Sequence, residues 1–168
     1  MADQPRYKPL SQSSFFGDDR SARLLVSGTV ARGHLNADEQ FYTGKSGEEP
    51  ISTLPVALTK ELLARGQGRF NIFCSPCHDR TGSGEGMIVR RGYRPPPSYH
   101  IDRLRQAPVS HFFDVMTNGF GAMPDYAAQI PPADRWAVAA YIRALQLSQN
   151  ATLADVPAEE RQKLEGQK

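Results

Sequence analysis

Both cysteines of this 168-residue chain fall within five residues, Cys74-Ser75-Pro76-Cys77-His78. No other stretch constrains the fold as strongly. Two thiols one helical turn apart match the two vinyl groups of a porphyrin, and a His beside the second thiol is then held under the iron as its proximal ligand. The run therefore points to one covalently attached haem c, bound through Cys74 and Cys77 with His78 on the metal. Two other readings use the same residues. A redox dithiol normally opens a helix, where the helix dipole lowers the thiol pKa, whereas Cys74 stands at the end of the helix expected after Thr59. A zinc site needs two more ligands, and His34, His100 and His111 show no H-x₃₋₅-H spacing.

The second axial ligand has six candidates: Met87, Met116, Met123, His34, His100 and His111. Met87 comes nine residues after His78 in a Gly-rich loop, a short path from one haem face to the other. Met116 shares an apolar stripe with Phe112, the usual place of a core filler. Met123 lies in GFGAMPDY, where two glycines let backbone pass close to a flat cofactor and Pro124 stiffens the approach. Met123 is the preferred ligand, with His100 or His111 as the next choices.

The rest of the chain supports an all-α domain of three or four short helices. Thr59 can cap a helix over residues 60–73, in which Leu62, Gly66 and Phe70 recur on one face. A glycine on an apolar stripe suggests that another backbone crosses there. Residues 80–98, with four glycines and three consecutive prolines, read as a long loop. Helices are expected over 109–117, stopped by Asn118-Gly119, and from Pro131-Pro132 through DRWAVAAYIRALQLS. Residues 1–53 lack helical or strand periodicity and carry six basic against seven acidic residues, so they read as an extended, partner-binding arm. Residues 54–150 then form the haem domain and 151–168 a polar tail with a helical stretch over 158–164.

A net charge of +2 is too small for a general nucleic-acid binder, and no nucleic acid is expected. The longest apolar run, Trp136 to Ile142, is seven residues, well under a membrane span. The N-terminus lacks the charged start, apolar stretch and cleavage site of a signal peptide. Residues 80–105 hold Arg80, Arg90, Arg91, Arg94, Arg103 and Arg105 against Glu85 and Asp102. Haem propionates need cationic partners when partly buried, and Arg90 and Arg91 are assigned that role, the others being free to steer an acidic partner.

Gly66, Phe70, CSPCH, the Met–Pro loop and the aromatic-bearing last helix resemble a class I cytochrome c over about residues 59–148. That resemblance implies a crossing of the first and last helices at Gly66, Phe70 and Tyr141. It also implies that His78 donates its second ring N–H to a proline carbonyl, with Pro96 preferred among Pro95, Pro96 and Pro97. Asp79 stands where that family often has glycine. A narrower resemblance runs through DQPRYKPL, SGTVARGHL, FYTGK, RFNIFCSPCH, GEGMIVRRGY, PPPSYH and FFDVMTNGFGAMPDYA. These segments are similar to the mono-haem cytochrome c subunits of bacterial alternative complex III, a quinol-oxidising respiratory assembly.

By that resemblance the chain is an electron-transfer subunit rather than an enzyme in itself. Its partners would be another c-type cytochrome subunit, an iron–sulfur subunit, and a soluble carrier or terminal oxidase as acceptor. The implied location is the periplasmic or outer face of the bacterial membrane, with a lipid anchor on a longer precursor as one way of holding it there. The alternative is a free-standing soluble cytochrome that shuttles between complexes.

Overall fold

The computed structural model describes residues 4–165, which divide between Ala37 and Asp38 into two compact units. The first contains a small closed loop. Gln12 and Arg20 form an antiparallel bridge, and Ser21 N donates to Ser11 O at 3.1 Å. Arg23 pairs with Asp18 at 2.6 Å and lies over the Phe16 ring at 4.2 Å. Large apolar side chains nevertheless remain outside: Leu10 and Leu24 are each 90% exposed and Phe15 83%.

The second unit begins with α1 (Glu39–Thr43), whose N-terminus is capped by Asp38 accepting from Phe41 N at 3.0 Å. The two-residue strands β1 (Lys45–Ser46) and β2 (Glu49–Pro50) follow as an antiparallel hairpin. This segment corrects the arm expected over residues 1–53. Trp136 Nε1 donates to Phe41 O at 2.7 Å, Ser110 N donates to Ile51 O at 3.3 Å, and Ile51 is buried. Residues 38–51 thus belong to the helical body. A buried indole N–H needs an acceptor, and this segment brings one to a Trp that is fully inside.

Helix α2 spans Lys60–Phe73, with Thr59 Oγ1 accepting from Leu62 N at 3.1 Å as its cap expects. Three short helices follow: α3 (Ser75–His78), α4 (Asp102–Gln106) and α5 (Val109–Asn118), the last stopped at Gly119. Helix α6 runs over Pro132–Asn150, and α7 over Ala158–Glu165. The loop expected over 80–98 is irregular except for one 3₁₀ turn at Val89–Arg91. Among the described residues no helix is long and apolar enough to cross a membrane.

The dominant packing is α2 against α6. Gly66 sits at the crossing: a Cβ there would lie 2.0 Å from Ala137 O and 3.0 Å from Tyr141 Cβ. The absent side chain lets two backbones touch, as the apolar stripe expects. Phe70, fully buried, packs edge-on to Tyr141 with ring centroids 5.4 Å apart. Burying a side chain of this kind contributes roughly 1.5–3 kcal/mol. The same pairing is clamped by charge. Arg65 donates from Nε and Nη2 to the two oxygens of Asp134 at 2.8 and 2.9 Å, and Arg69 Nε adds a third bond at 2.9 Å. The Arg65 guanidinium holds the Asp134 carboxyl below its ordinary value, so this largely buried acid stays ionised and paired. Helix α5 lies on the other flank of α6, where Phe113 stacks on Trp136 at 4.2 Å.

Candidate haem-binding site

Cys74 closes α2, as expected, and the same turn residue opens α3. Cys77 N and His78 N both donate to Cys74 O, at 3.2 and 2.9 Å, so the motif is wound into one turn that carries both thiols and the imidazole. Both cysteines are free, Cys74 buried and Cys77 half-buried. Burial pushes the Cys74 thiol up to about 12 and the His78 imidazole down to about 4. A thiol so protected from ionisation is the reverse of a low-pKa redox nucleophile. A neutral imidazole has a lone pair to give a metal.

The following loop is tied back onto this turn. Gly84 N donates to His78 O, Gly86 N to Cys77 O and Ile88 N to Pro76 O, each at 3.0 Å. Asp79, at φ +54°, is held in the left-handed region by a loop that folds around its carboxylate. Burial works against ionising Asp79, but hydrogen bonds from Ser83 and Thr81 prevail and hold its carboxyl well below the usual carboxylate range.

Cys74, Cys77 and His78 line a cavity of about 320 Å³ with Phe73, Tyr99, Phe112, Val115, Met116 and Ile142 among its apolar walls. Met123 lines it too. It is half-buried in a turn closed reciprocally by Phe120 N to Met123 O at 2.9 Å and Met123 N to Phe120 O at 3.0 Å. Of the other axial candidates, Met116 and His111 border the cavity, Met116 as a member of the buried core. Met87 is 58% exposed and lies outside the lining. His100 is also outside it, its Nε2 2.8 Å from Thr81 O. His34 belongs to the N-terminal unit.

Two expectations need correction. Pro96 borders the cavity, but its carbonyl lies over Gly84, where a Cβ would come within 2.4 Å of it, and buried His78 Nδ1 has no hydrogen-bond partner among the described residues. The ring is instead stacked on Tyr99, with centroids 4.6 Å apart and planes inclined by 12°. Arg90 and Arg91 do not reach the cavity: they are exposed on the 3₁₀ turn, and Arg90 Nε donates to Glu85 O at 3.2 Å. The lining arginines are Arg94 and Arg103. Arg94 directly precedes the triple proline, a stiff segment that runs along the cavity, and that adjacency was the available signal. Arg103 depends on α4, whose carbonyls are held from α6: Arg143 Nη1 donates to Arg105 O at 3.0 Å, and Gln146 Nε2 to Leu104 O at 3.3 Å.

The residues fit a haem c. Two thiols and an imidazole that burial keeps neutral face one apolar cavity, with a thioether and two guanidinium groups on its border.

Residues 61–142 match the family described as cytochrome c oxidase, cbb3-type, subunit III. The matched span runs from α2 into α6 and so contains the CSPCH turn, the cavity loops and Met123. Residues 61–142 thus form a cytochrome c domain, the class of module that carries covalently bound haem c and transfers electrons. No curated protein matches the chain. Among solved structures it is similar to the Kuenenia stuttgartiensis reducing HAO-like protein complex, at 19% identity and a TM-score of 0.48. That similarity covers 64% of this chain and 54% of the other.

Proposed function

We propose that the protein is a mono-haem, class I c-type cytochrome carrying single electrons as a subunit of a quinol-oxidising membrane complex of the alternative complex III kind. The observation that carries the electron-transfer part is the cavity bordered by Cys74, Cys77, His78 and Met123. The thiols would tether the haem, His78 and Met123 would hold its iron, and the apolar walls would keep water from it. Bound haem c supplies a one-electron couple. With His78 and Met123 both holding the iron, its chemistry would be one-electron transfer without bond making. Arg94 and Arg103, which line the cavity, would pair with the propionates.

Met123→Ala is expected to remove the sulfur-to-iron absorption band of the oxidised protein and to lower its midpoint potential, measured by spectroelectrochemical titration. A spectrum and potential equal to wild type would assign the ligand to another residue, with Met116 and His111 the neighbours at the same cavity.

Membership of a complex is supported by the N-terminal unit, whose Leu10, Phe15, Leu24 and Leu25 are exposed and spaced along a polar segment, the pattern of anchors for a partner's pockets. Its partners would be the cytochrome and iron–sulfur subunits on the outer face of the membrane. Among the described residues the buried hydrophobic cluster begins at Ile51 and the partly buried side chains packed on it begin at Phe41, so residues 1–37 can be removed without taking any of them. The truncated protein is expected to keep its haem spectrum and potential but to be lost from the purified complex. Co-purification at wild-type stoichiometry would contradict the anchoring role and favour a soluble shuttle.

A further inference from the structure

Asp79 folds the loop behind the haem-binding turn around its own side chain. Oδ1 accepts from Thr81 Oγ1 at 2.6 Å, Gly82 N at 3.0 Å and Thr81 N. Oδ2 accepts from Ser83 N at 3.0 Å, Glu85 N at 3.2 Å and Ser83 Oγ. Both carboxylate oxygens are thus fully used within six residues of chain, which makes the loop from 79 to 85 a rigid unit.

That unit grips Tyr99. Gly82 O accepts from Tyr99 N at 2.9 Å and from Ser98 Oγ at 3.4 Å. The ring is in contact as well, because a Cβ on Gly82 would fall 2.8 Å from Tyr99 Cδ2. Gln146 holds the Tyr99 carbonyl from α6, and the ring edges meet Phe70 and Phe112 at centroid distances of 6.1 and 5.9 Å. Tyr99 is 8% exposed, and its face lies flat on His78. His78 Nδ1 has no hydrogen-bond partner among the described residues, and Tyr99 is the ring that lies parallel to the imidazole.

We propose that Asp79 is a positioning residue for His78, acting through the 81–85 loop and Tyr99 to fix the plane of the imidazole. This inference rests on the haem reading above. Glycine would suit the left-handed backbone at position 79 better than aspartate does, but it supplies no acceptor. The side chain, and not the backbone conformation, is therefore what the site uses.

The test compares Asp79→Gly, Asp79→Asn, Tyr99→Leu and Tyr99→Phe in the full-length, haem-loaded protein. Two readouts are taken: the g values of the oxidised low-spin iron, which report ligand-ring orientation, and the exchange rates of the Gly82 and Ser83 amides. Asp79→Gly is expected to speed that exchange at least about tenfold, a loss of about 1.4 kcal/mol or more of protection, and to shift the g values. Asp79→Asn, which keeps one acceptor oxygen, should shift them less. Tyr99→Leu should shift them in the same direction, the double variant Asp79→Gly/Tyr99→Leu should shift them no further, and Tyr99→Phe should match wild type. Wild-type g values in Asp79→Gly, or shifts that simply add in the double variant, would overturn the proposal even if the variant melted at a lower temperature. A wild-type protein without haem absorbance would overturn the haem reading and this inference with it, whereas a coloured wild type with unaltered Asp79→Gly overturns this inference alone.

Discussion

Gly66→Leu is expected to destabilise the haem-loaded protein by about 3 kcal/mol or more, the upper end of what overpacking a filled contact costs. The cost lies at the upper end because the obstacle is backbone. A Cβ at position 66 would lie 2.0 Å from the oxygen and 2.6 Å from the carbonyl carbon of Ala137, neither of which can rotate away as a side chain would. Accommodating leucine requires α6 to shift as a whole, and α6 carries fully buried Trp136 and the Ile142 that borders the haem cavity. For a chain of this size the loss corresponds to a fall in Tm of about 6–12 °C, read by circular dichroism in the helical band. A variant that melts with wild type would mean that the helices do not cross at Gly66.

The second large effect concerns the tether. Replacing Cys74 and Cys77 together with serine removes both thiols from the cavity wall and should abolish covalent haem in protein produced with the c-type maturation machinery. Each single serine variant should retain one thioether and a spectrum displaced toward that of haem with an unreacted vinyl group. The serine hydroxyl is close in size to the thiol and leaves the α2–α3 turn intact, since that turn is held by backbone bonds from Cys77 and His78 to the carbonyl of residue 74. A double variant that still carried haem through denaturation would refute the assignment of these cysteines.

What could be read from the sequence was what depends on neighbours along the chain. Thr59 as a cap, the Leu62–Gly66–Phe70 stripe, the Asn118-Gly119 stop and the Pro131-Pro132 start are local signals, and the helices they imply are present. The close crossing at Gly66 was also legible, because a glycine in an apolar stripe has few other uses. The segment from 38 to 51 was not. Its helix has five residues and its strands two each, too short for periodicity, and what holds it is the Trp136 indole, 95 residues away.

Around the cavity the same division applies. The thiols and His78 are contiguous and announce themselves, while the choice of Arg94 and Arg103 over Arg90 and Arg91 depends on how a proline segment and a five-residue helix pass the cavity mouth. The acceptor expected at Pro96 failed for a related reason, because that carbonyl is turned onto Gly84. Tyr99 carried no signal of its role, since stacking on His78 joins the last residue of α3 to a loop residue that only the fold brings beside it.

Electron transfer by this protein requires that the cavity hold one haem joined covalently to Cys74 and Cys77. The direct test is the intact mass of the purified wild-type protein under denaturing conditions, taken with its reduced-minus-oxidised spectrum in alkaline pyridine. The predicted result is a mass increased by a single haem and the absorption band of a haem with two thioether bonds. A colourless protein whose mass equals that of its amino-acid sequence, or a haem that denaturation releases, would contradict it.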